Sequence, residues 1–150
     1  VGGAVSQALY PALAAGGVAS VQGRSAVSRV MRTLALLALR LVVLLWLFAP
    51  AAFAGAFGEP WREAGELARA LALYIGVHFV ASPLSVATMA WGAQAWALRL
   101  SLVGQALFIA ALACGLAIGG LTTAGWAVSA AMALYFGLFF WKLATWPVSA

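Results

Sequence analysis

The chain has 150 residues, of which 66% are hydrophobic and 7% are charged, and its formal net charge is +5. Soluble domains carry about 25% charged residues, so this composition excludes an ordinary soluble protein and favours an integral membrane protein. The basic residues stand singly at the ends of apolar runs. This pattern is typical of membrane orientation and head-group anchoring, and it excludes a nucleic-acid-binding stripe.

The first two segments are predicted to be the end of a helix and a basic linker. Residues 1–15 are apolar but too short for a complete span, so we expect the end of a helix that begins upstream. Residues 20–32 carry Arg24, Arg29 and Arg32 with no acidic partner. This stretch predicts a cytoplasmic linker that forms a short interfacial helix.

Four complete transmembrane helices follow in the prediction, because each apolar run is long enough to cross a hydrocarbon core about 30 Å thick. They cover, approximately, residues 33–57, 61–92, 94–118 and 122–146. The second is expected to bend at Pro83, because proline removes a backbone donor and clashes with the preceding turn. Only a few residues connect the last two, which predicts an antiparallel hairpin.

The charges predict how these helices are oriented. One side of the membrane would carry only basic residues, and the other a nearly balanced set. The first set is Arg24, Arg29, Arg32, Arg99 and Lys142, and the second is Glu59, Arg62, Glu63, Glu66 and Arg69. The positive-inside rule places the first set, and with it the C-terminus, in the cytoplasm.

Catalysis is not expected from this chain. His78 is its only histidine and Cys114 is its only cysteine. No carboxylate lies within the apolar run of any predicted span. No nucleophile–base pair, metal-ligand spacing or phosphate-binding loop is present. We therefore predict a non-enzyme with no catalytic residue, no metal and no cofactor.

Three ionisable residues are candidates for a substrate cavity, because burying a charge in lipid is costly. Arg40, Arg69 and His78 lie at or within predicted spans, where ionisable side chains usually face protein or a watery cavity. The alternative is that both arginines extend to the nearest head groups and that neutral His78 bonds a neighbouring helix. Ser82, Ser101 and Gln105 are further polar residues in the spans, suited either to the same cavity or to bonds between helices.

Three short stretches resemble a known family. Residues 57–65 (FGEPWREAG) are similar to the FG-x-x-W-x-x-A-G segment of bacterial polysaccharide flippases, and residues 79–85 (FVASPLS) are similar to their F-x-x-S-P-L-S bend. Residues 3–11 (GAVSQALYP) resemble the end of an earlier span, with its Q-x-x-x-P pattern. The order and spacing of these stretches are those of Wzx-type oligosaccharide flippases, in the multidrug/oligosaccharidyl-lipid/polysaccharide (MOP) exporter superfamily.

The resemblance implies an all-α integral membrane fold, part of the C-terminal lobe of a MOP/MATE-like helix bundle. Residues 1–150 would be a fragment of that lobe, and the N-terminal lobe of the same protein would be its partner. The implied function is translocation of undecaprenyl-diphosphate-linked oligosaccharide across the bacterial inner membrane during polysaccharide or O-antigen biosynthesis. The implied contacts are this lipid-linked oligosaccharide and membrane lipids, with no nucleic acid.

Four residues are expected to act in packing or as hinges. Gly115 and Gly119 form a G-x-x-x-G pair that would let helices approach closely. Gly65 and Pro83 lie in the stretches that resemble the flippases, where rocking of one lobe against the other would need a hinge.

Two other functions remain open at this level. One is a MATE-like, cation-coupled exporter of small molecules, although the apolar runs lack the carboxylate that coupling normally needs. The other is a membrane anchor subunit that transports nothing, for which hydrophobic helices alone would suffice.

Overall fold

The computed structural model describes residues 21–85 and 93–145, and these residues are almost entirely helical. The elements are α1 (Val21–Phe57), a 3-10 turn (Glu59–Trp61), α2 (Arg62–Leu84) and α3 (Gln94–Ala144). The three α-helical segments are long and apolar enough to cross a membrane. The predicted helix end at residues 1–15 lies outside the described residues.

Helix α1 joins the predicted linker and the predicted first span. It runs without interruption from Val21 to Phe57, so no break separates residues 20–32 from the span that was expected to begin at residue 33. The reason is local, because residues 24–49 contain neither glycine nor proline. The arginines of this stretch therefore lie on the first turns of the long helix.

Helices α1 and α2 are antiparallel and approach each other at two glycines of α2. A Cβ atom at Gly65 would lie 2.5 Å from the Cα of Pro50 and 2.7 Å from the carbonyl oxygen of Ala49. Farther along α2, a Cβ at Gly76 would overlap the side chain of Val42, which precedes Pro50 in α1. A larger residue at Gly65 would have to move the two backbones apart, whereas one at Gly76 would have to displace the side chain of Val42.

Helix α2 is shorter than the predicted second span. It ends at Leu84, one residue after the buried Pro83, whereas the prediction placed a bend at Pro83 inside a helix continuing to residue 92. Pro83 lies inside the helix, where it has no amide to bond the carbonyl of Phe79 and weakens the turn that precedes it. Residues 86–92 lie outside the described residues.

Helix α3 reverses direction at Gly119 and Gly120. Both residues have non-helical backbone angles, and the φ of Gly120 is +83°, a left-handed conformation that favours glycine. The reversal divides α3 into an N-terminal half (residues 94–118) and a C-terminal half (residues 121–144).

The two halves of α3 pack antiparallel. A Cβ at Gly115 would overlap the backbone of Ala124 close to the reversal. Far from it, the hydroxyl of Tyr135 donates a 3.0 Å hydrogen bond to the carbonyl of Leu100. The stacked rings of Trp96 and Phe139, with centroids 6.1 Å apart, extend the contact to the far end.

Apart from Arg40, which lies in the middle of α1, the described charged residues lie towards the two ends of this bundle. A buried cluster joins the start of α1, the end of α2 and the ends of α3; it contains Leu34, Ala38, Val80, Ala81, Leu84, Phe139 and Leu143. Near this cluster lie Arg29, Arg32, Arg99 and Lys142. The mixed set of Glu59, Arg62, Glu63, Glu66 and Arg69 lies at the opposite end, beside the turn between α1 and α2.

We predict that Gly65→Ala destabilises the protein and that Gly55→Ala does not. The added methyl group at Gly65 would overlap the backbone of α1 and cost about 1–3 kcal/mol, whereas nothing lies within 4 Å of a Cβ at Gly55. At Gly55, alanine should stabilise the helix by about 0.4–1 kcal/mol. Thermal unfolding of the two variants in the same detergent checks this. Equal melting temperatures would contradict the close approach at Gly65.

Candidate functional site

A polar groove lies between α2 and the two halves of α3. Two adjoining cavities of about 320 and 210 Å³ form it, and both are lined by His78, Ser101, Tyr135 and Phe136. We name this surface the His78 groove. Its polar lining is Tyr74, His78, Ser82, Ser85, Ser101, Gln105 and Tyr135, and its aromatic lining adds Phe108, Phe136 and Phe139.

Helical spacing brings these side chains to one surface. On α2, Tyr74, His78 and Ser82 are four residues apart and therefore share a face. Ser101 and Gln105 repeat the same spacing on the N-terminal half of α3. The C-terminal half of α3 closes the groove with the rings of three aromatic residues, Tyr135, Phe136 and Phe139.

His78 lies among aromatic rings on one wall of the groove. Its ring centroid is 5.7 Å from that of Tyr74 and 5.8 Å from that of Phe136, whose plane is almost perpendicular to it. The hydroxyl of Tyr135 is bound to the carbonyl of Leu100. The imidazole is held by ring contacts and is exposed to the groove.

The polarity of the groove contrasts with the other surfaces of the bundle. His78, Ser82, Ser101 and Gln105 are all exposed. The exposed side chains of α1 are mainly large and apolar: Leu36, Leu39, Val43, Leu44, Leu47 and Phe48. An unpaired amide or hydroxyl costs several kcal/mol in hydrocarbon, so the groove is suited to water, protein or a polar ligand, whereas the apolar surface of α1 is suited to acyl chains or to other apolar helices.

Arg40 and Arg69 do not line the His78 groove. Arg40 is exposed on α1. Arg69 lies nine residues before His78 on α2, which is about 13.5 Å along the helix axis. The described residues therefore do not bring the three predicted cavity residues together.

Arg69 has its own cavity at the other end of the bundle. It is half-buried, and it lines a space of about 370 Å³ with Trp46, Leu47 and Trp126. One guanidinium nitrogen, NH1, donates to the carboxylate of Glu66 at 3.3 Å. Its Nε is buried and has no hydrogen-bond partner among the described residues. About 33% of the Arg69 side chain is exposed, and this exposed part is what an anionic group could reach.

The packing residues have separate roles in the structure. Gly65 and Gly115 lie where backbones approach each other, whereas Gly119 lies at the reversal of α3 and packs against the side chain of Thr123. Sequence reasoning did not single out Ser129, whose buried hydroxyl donates a 2.6 Å bond to the carbonyl of Ala70. This bond joins α2 to the C-terminal half of α3.

Tyr74 and Tyr135 are groove residues that sequence reasoning also missed. For Tyr74, the four-residue spacing to His78 and Ser82 was a readable indication. Nothing in the local sequence of Tyr135 distinguishes it from the other aromatic residues of α3. Within the part of the chain that the structure describes, no group of three or more His, Cys, Asp or Glu side chains could hold a metal ion.

Comparisons with known proteins find no family model, no curated protein and no solved structure that matches the chain. The functional argument therefore depends on the groove, on the Arg69 cavity and on the residues that carry the family resemblance.

We predict that a thiol in the groove reacts with a water-soluble maleimide and that its lipid-facing neighbour does not. Ser101 lines the groove, whereas Leu102 is 63% exposed outside it. In membranes of a Cys114→Ala background, Ser101→Cys should react about tenfold faster than Leu102→Cys, because thiolate forms poorly in apolar surroundings. Mass spectrometry measures the labelled fraction. Equal rates would show that the groove is no more hydrated than the surface beside it.

Proposed function

We propose that the chain is part of a translocator that moves undecaprenyl-diphosphate-linked oligosaccharide across the bacterial inner membrane. The observation that carries this proposal is the His78 groove, a polar surface on an otherwise apolar helical bundle. A lipid-linked glycan has an apolar tail and a polar head, so its carrier needs a polar path beside a lipid-facing surface. The groove and the apolar surface of α1 supply these two features.

The positions of the resembling stretches also support the proposal. Residues 57–65 form the turn into α2 and include the close approach at Gly65, while residues 79–85 form the end of α2 at Pro83. Both stretches thus lie at points where the direction or packing of α2 is determined. Such points suit the hinges on which alternating access depends.

We assign the diphosphate of this substrate to Arg69. Diphosphate oxygens accept paired, charge-assisted bonds from a guanidinium, and the Arg69 side chain is partly exposed beside its cavity. Trp46 and Trp126 flank the same cavity, and tryptophan is enriched where membranes meet water. Arg40, exposed on the apolar surface of α1, is better suited to reach lipid head groups by extending its side chain.

The proposed arrangement in the membrane has four spans. We count the antiparallel halves of α3 as two spans, so that α1, α2 and both halves of α3 cross the bilayer in alternating directions. The basic end of the bundle then lies in the cytoplasm and the mixed-charge end in the periplasm, because positive charge is retained inside. The C-terminus is cytoplasmic in this arrangement.

We predict that the two ends of the bundle are labelled from opposite sides of the membrane. In intact cells of a Cys114→Ala background, an impermeant maleimide should label Glu63→Cys and not Arg99→Cys. The cytoplasmic thiol should react only after the cells are permeabilised. Labelling of both positions in intact cells would contradict the four-span arrangement.

We predict that loss of this gene from its source bacterium abolishes surface polysaccharide and that Arg69→Ala restores it poorly. Removing a bond to a charged group costs about 1.5–3 kcal/mol, so polysaccharide should fall by about tenfold at equal protein levels. Arg62→Ala is the matched control, because Arg62 is exposed and pairs with Glu59 in the turn. Surface polysaccharide and membrane-bound lipid-linked repeats are measured together.

Other results of this experiment would favour the competing functions. Normal polysaccharide with increased sensitivity to organic cations would indicate a cation-coupled exporter. Normal polysaccharide and normal drug sensitivity would indicate an anchor.

A further inference from the structure

We propose that the His78 groove binds an uncharged sugar ring, so that the glycan and the diphosphate of the substrate occupy different parts of the bundle. This inference rests on the proposed function and assigns the glycan to a separate surface. It follows from the charge, the hydrogen-bonding groups and the rings of the groove.

The first argument is the charge of the groove. The described residues that line its two cavities include no arginine, lysine, aspartate or glutamate. A diphosphate would lack the guanidinium or ammonium partners that bind it strongly in proteins. An organic cation could contact the aromatic rings, but it would lack a carboxylate to balance its charge. The groove therefore suits a neutral polar ligand.

The second argument is the set of hydrogen-bonding side chains. The amide of Gln105 donates and accepts, the hydroxyl of Ser101 does both, and the imidazole of His78 has two ring nitrogens that can form hydrogen bonds. Hydroxyl groups of a sugar also donate and accept, so they can pair with each of these groups. All three side chains are exposed in the groove, where a ligand can reach them.

The third argument is the arrangement of the rings. The ring planes of His78 and Phe136 are 88° apart, and those of Tyr74 and Phe108 are 48° apart with centroids at 5.8 Å. Aromatic residues therefore line the groove between its polar groups, and they can pack against the C–H groups of a sugar ring. The larger cavity, about 320 Å³, is within the size range of small-ligand sites.

Saturation-transfer NMR on the chain in lipid nanodiscs tests this inference, with free glucose and N-acetylglucosamine as probes. We expect transfer to the sugar ring protons, reduced at least fivefold in Gln105→Leu and in His78→Phe. The second variant keeps an aromatic ring, slightly larger than imidazole, and removes the ring nitrogens. Thr33→Val is the control, because Thr33 lies on α1 and bonds its own helix at Arg29. Size-exclusion profiles and melting temperatures establish that each variant is folded.

Three results would overturn the inference. The first is the absence of transfer to either sugar, and the second is equal transfer in the wild type and both groove variants. The third is that the groove binds inorganic pyrophosphate or choline and that His78→Phe abolishes this binding. The outcome is separable from that of the proposed function. If gene deletion abolishes surface polysaccharide while no sugar binds, only the sugar site is wrong. If sugars bind while polysaccharide is unaffected, translocation is wrong and the sugar site stands.

Discussion

The fold depends on contacts between helix backbones at glycine. In a bilayer, acyl chains are as apolar as leucine, so helices gain little by hiding side chains from lipid and associate through close packing and hydrogen bonds. Gly65 against Pro50 joins α1 to α2, and Gly115 against Ala124 joins the halves of α3. The bond from Ser129 to Ala70 joins the two pairs. The last two contacts join α2 and the two halves of α3, which are the walls of the His78 groove, whereas the first holds α1 against α2.

Helix α2 is the central element of this arrangement. It packs against α1 on one side and against α3 on the other, while α1 and α3 have little contact. One face of α2 therefore carries the small residues that allow close packing, including Gly65, Ala72 and Gly76. Another face carries Tyr74, His78 and Ser82 into the groove. Packing and polarity are separated around one helix, so the helix can be held firmly and still present polar groups.

The sequence predicted the helices better than it predicted their arrangement. The apolar runs, the reversal at Gly119 and Gly120, and the polar residues Ser82, Ser101 and Gln105 are all readable from local composition and spacing. The separation of Arg69 from His78 is also implied by their positions along one helix, since nine residues is a fixed length. In contrast, the approach of Tyr135 to His78 depends on how α3 rotates against α2, which no local pattern determines. The continuity of α1 was missed because the arginines of residues 24–32 suggested a separate linker, whereas the helical backbone has no break there. The end of α2 at Leu84 was missed because the helix was expected to bend at Pro83 and continue.

Pro50 has an effect beyond its contact with Gly65. As a proline inside α1, it cannot donate to the carbonyl of Trp46, one turn earlier. Trp46 lines the same cavity as Arg69, so this turn of α1 lies close to a guanidinium. In a bilayer, a guanidinium within the hydrocarbon region attracts water and draws lipid head groups inward. The bilayer should accordingly be thinner beside α1 at this point, which shortens the distance that a polar head must travel.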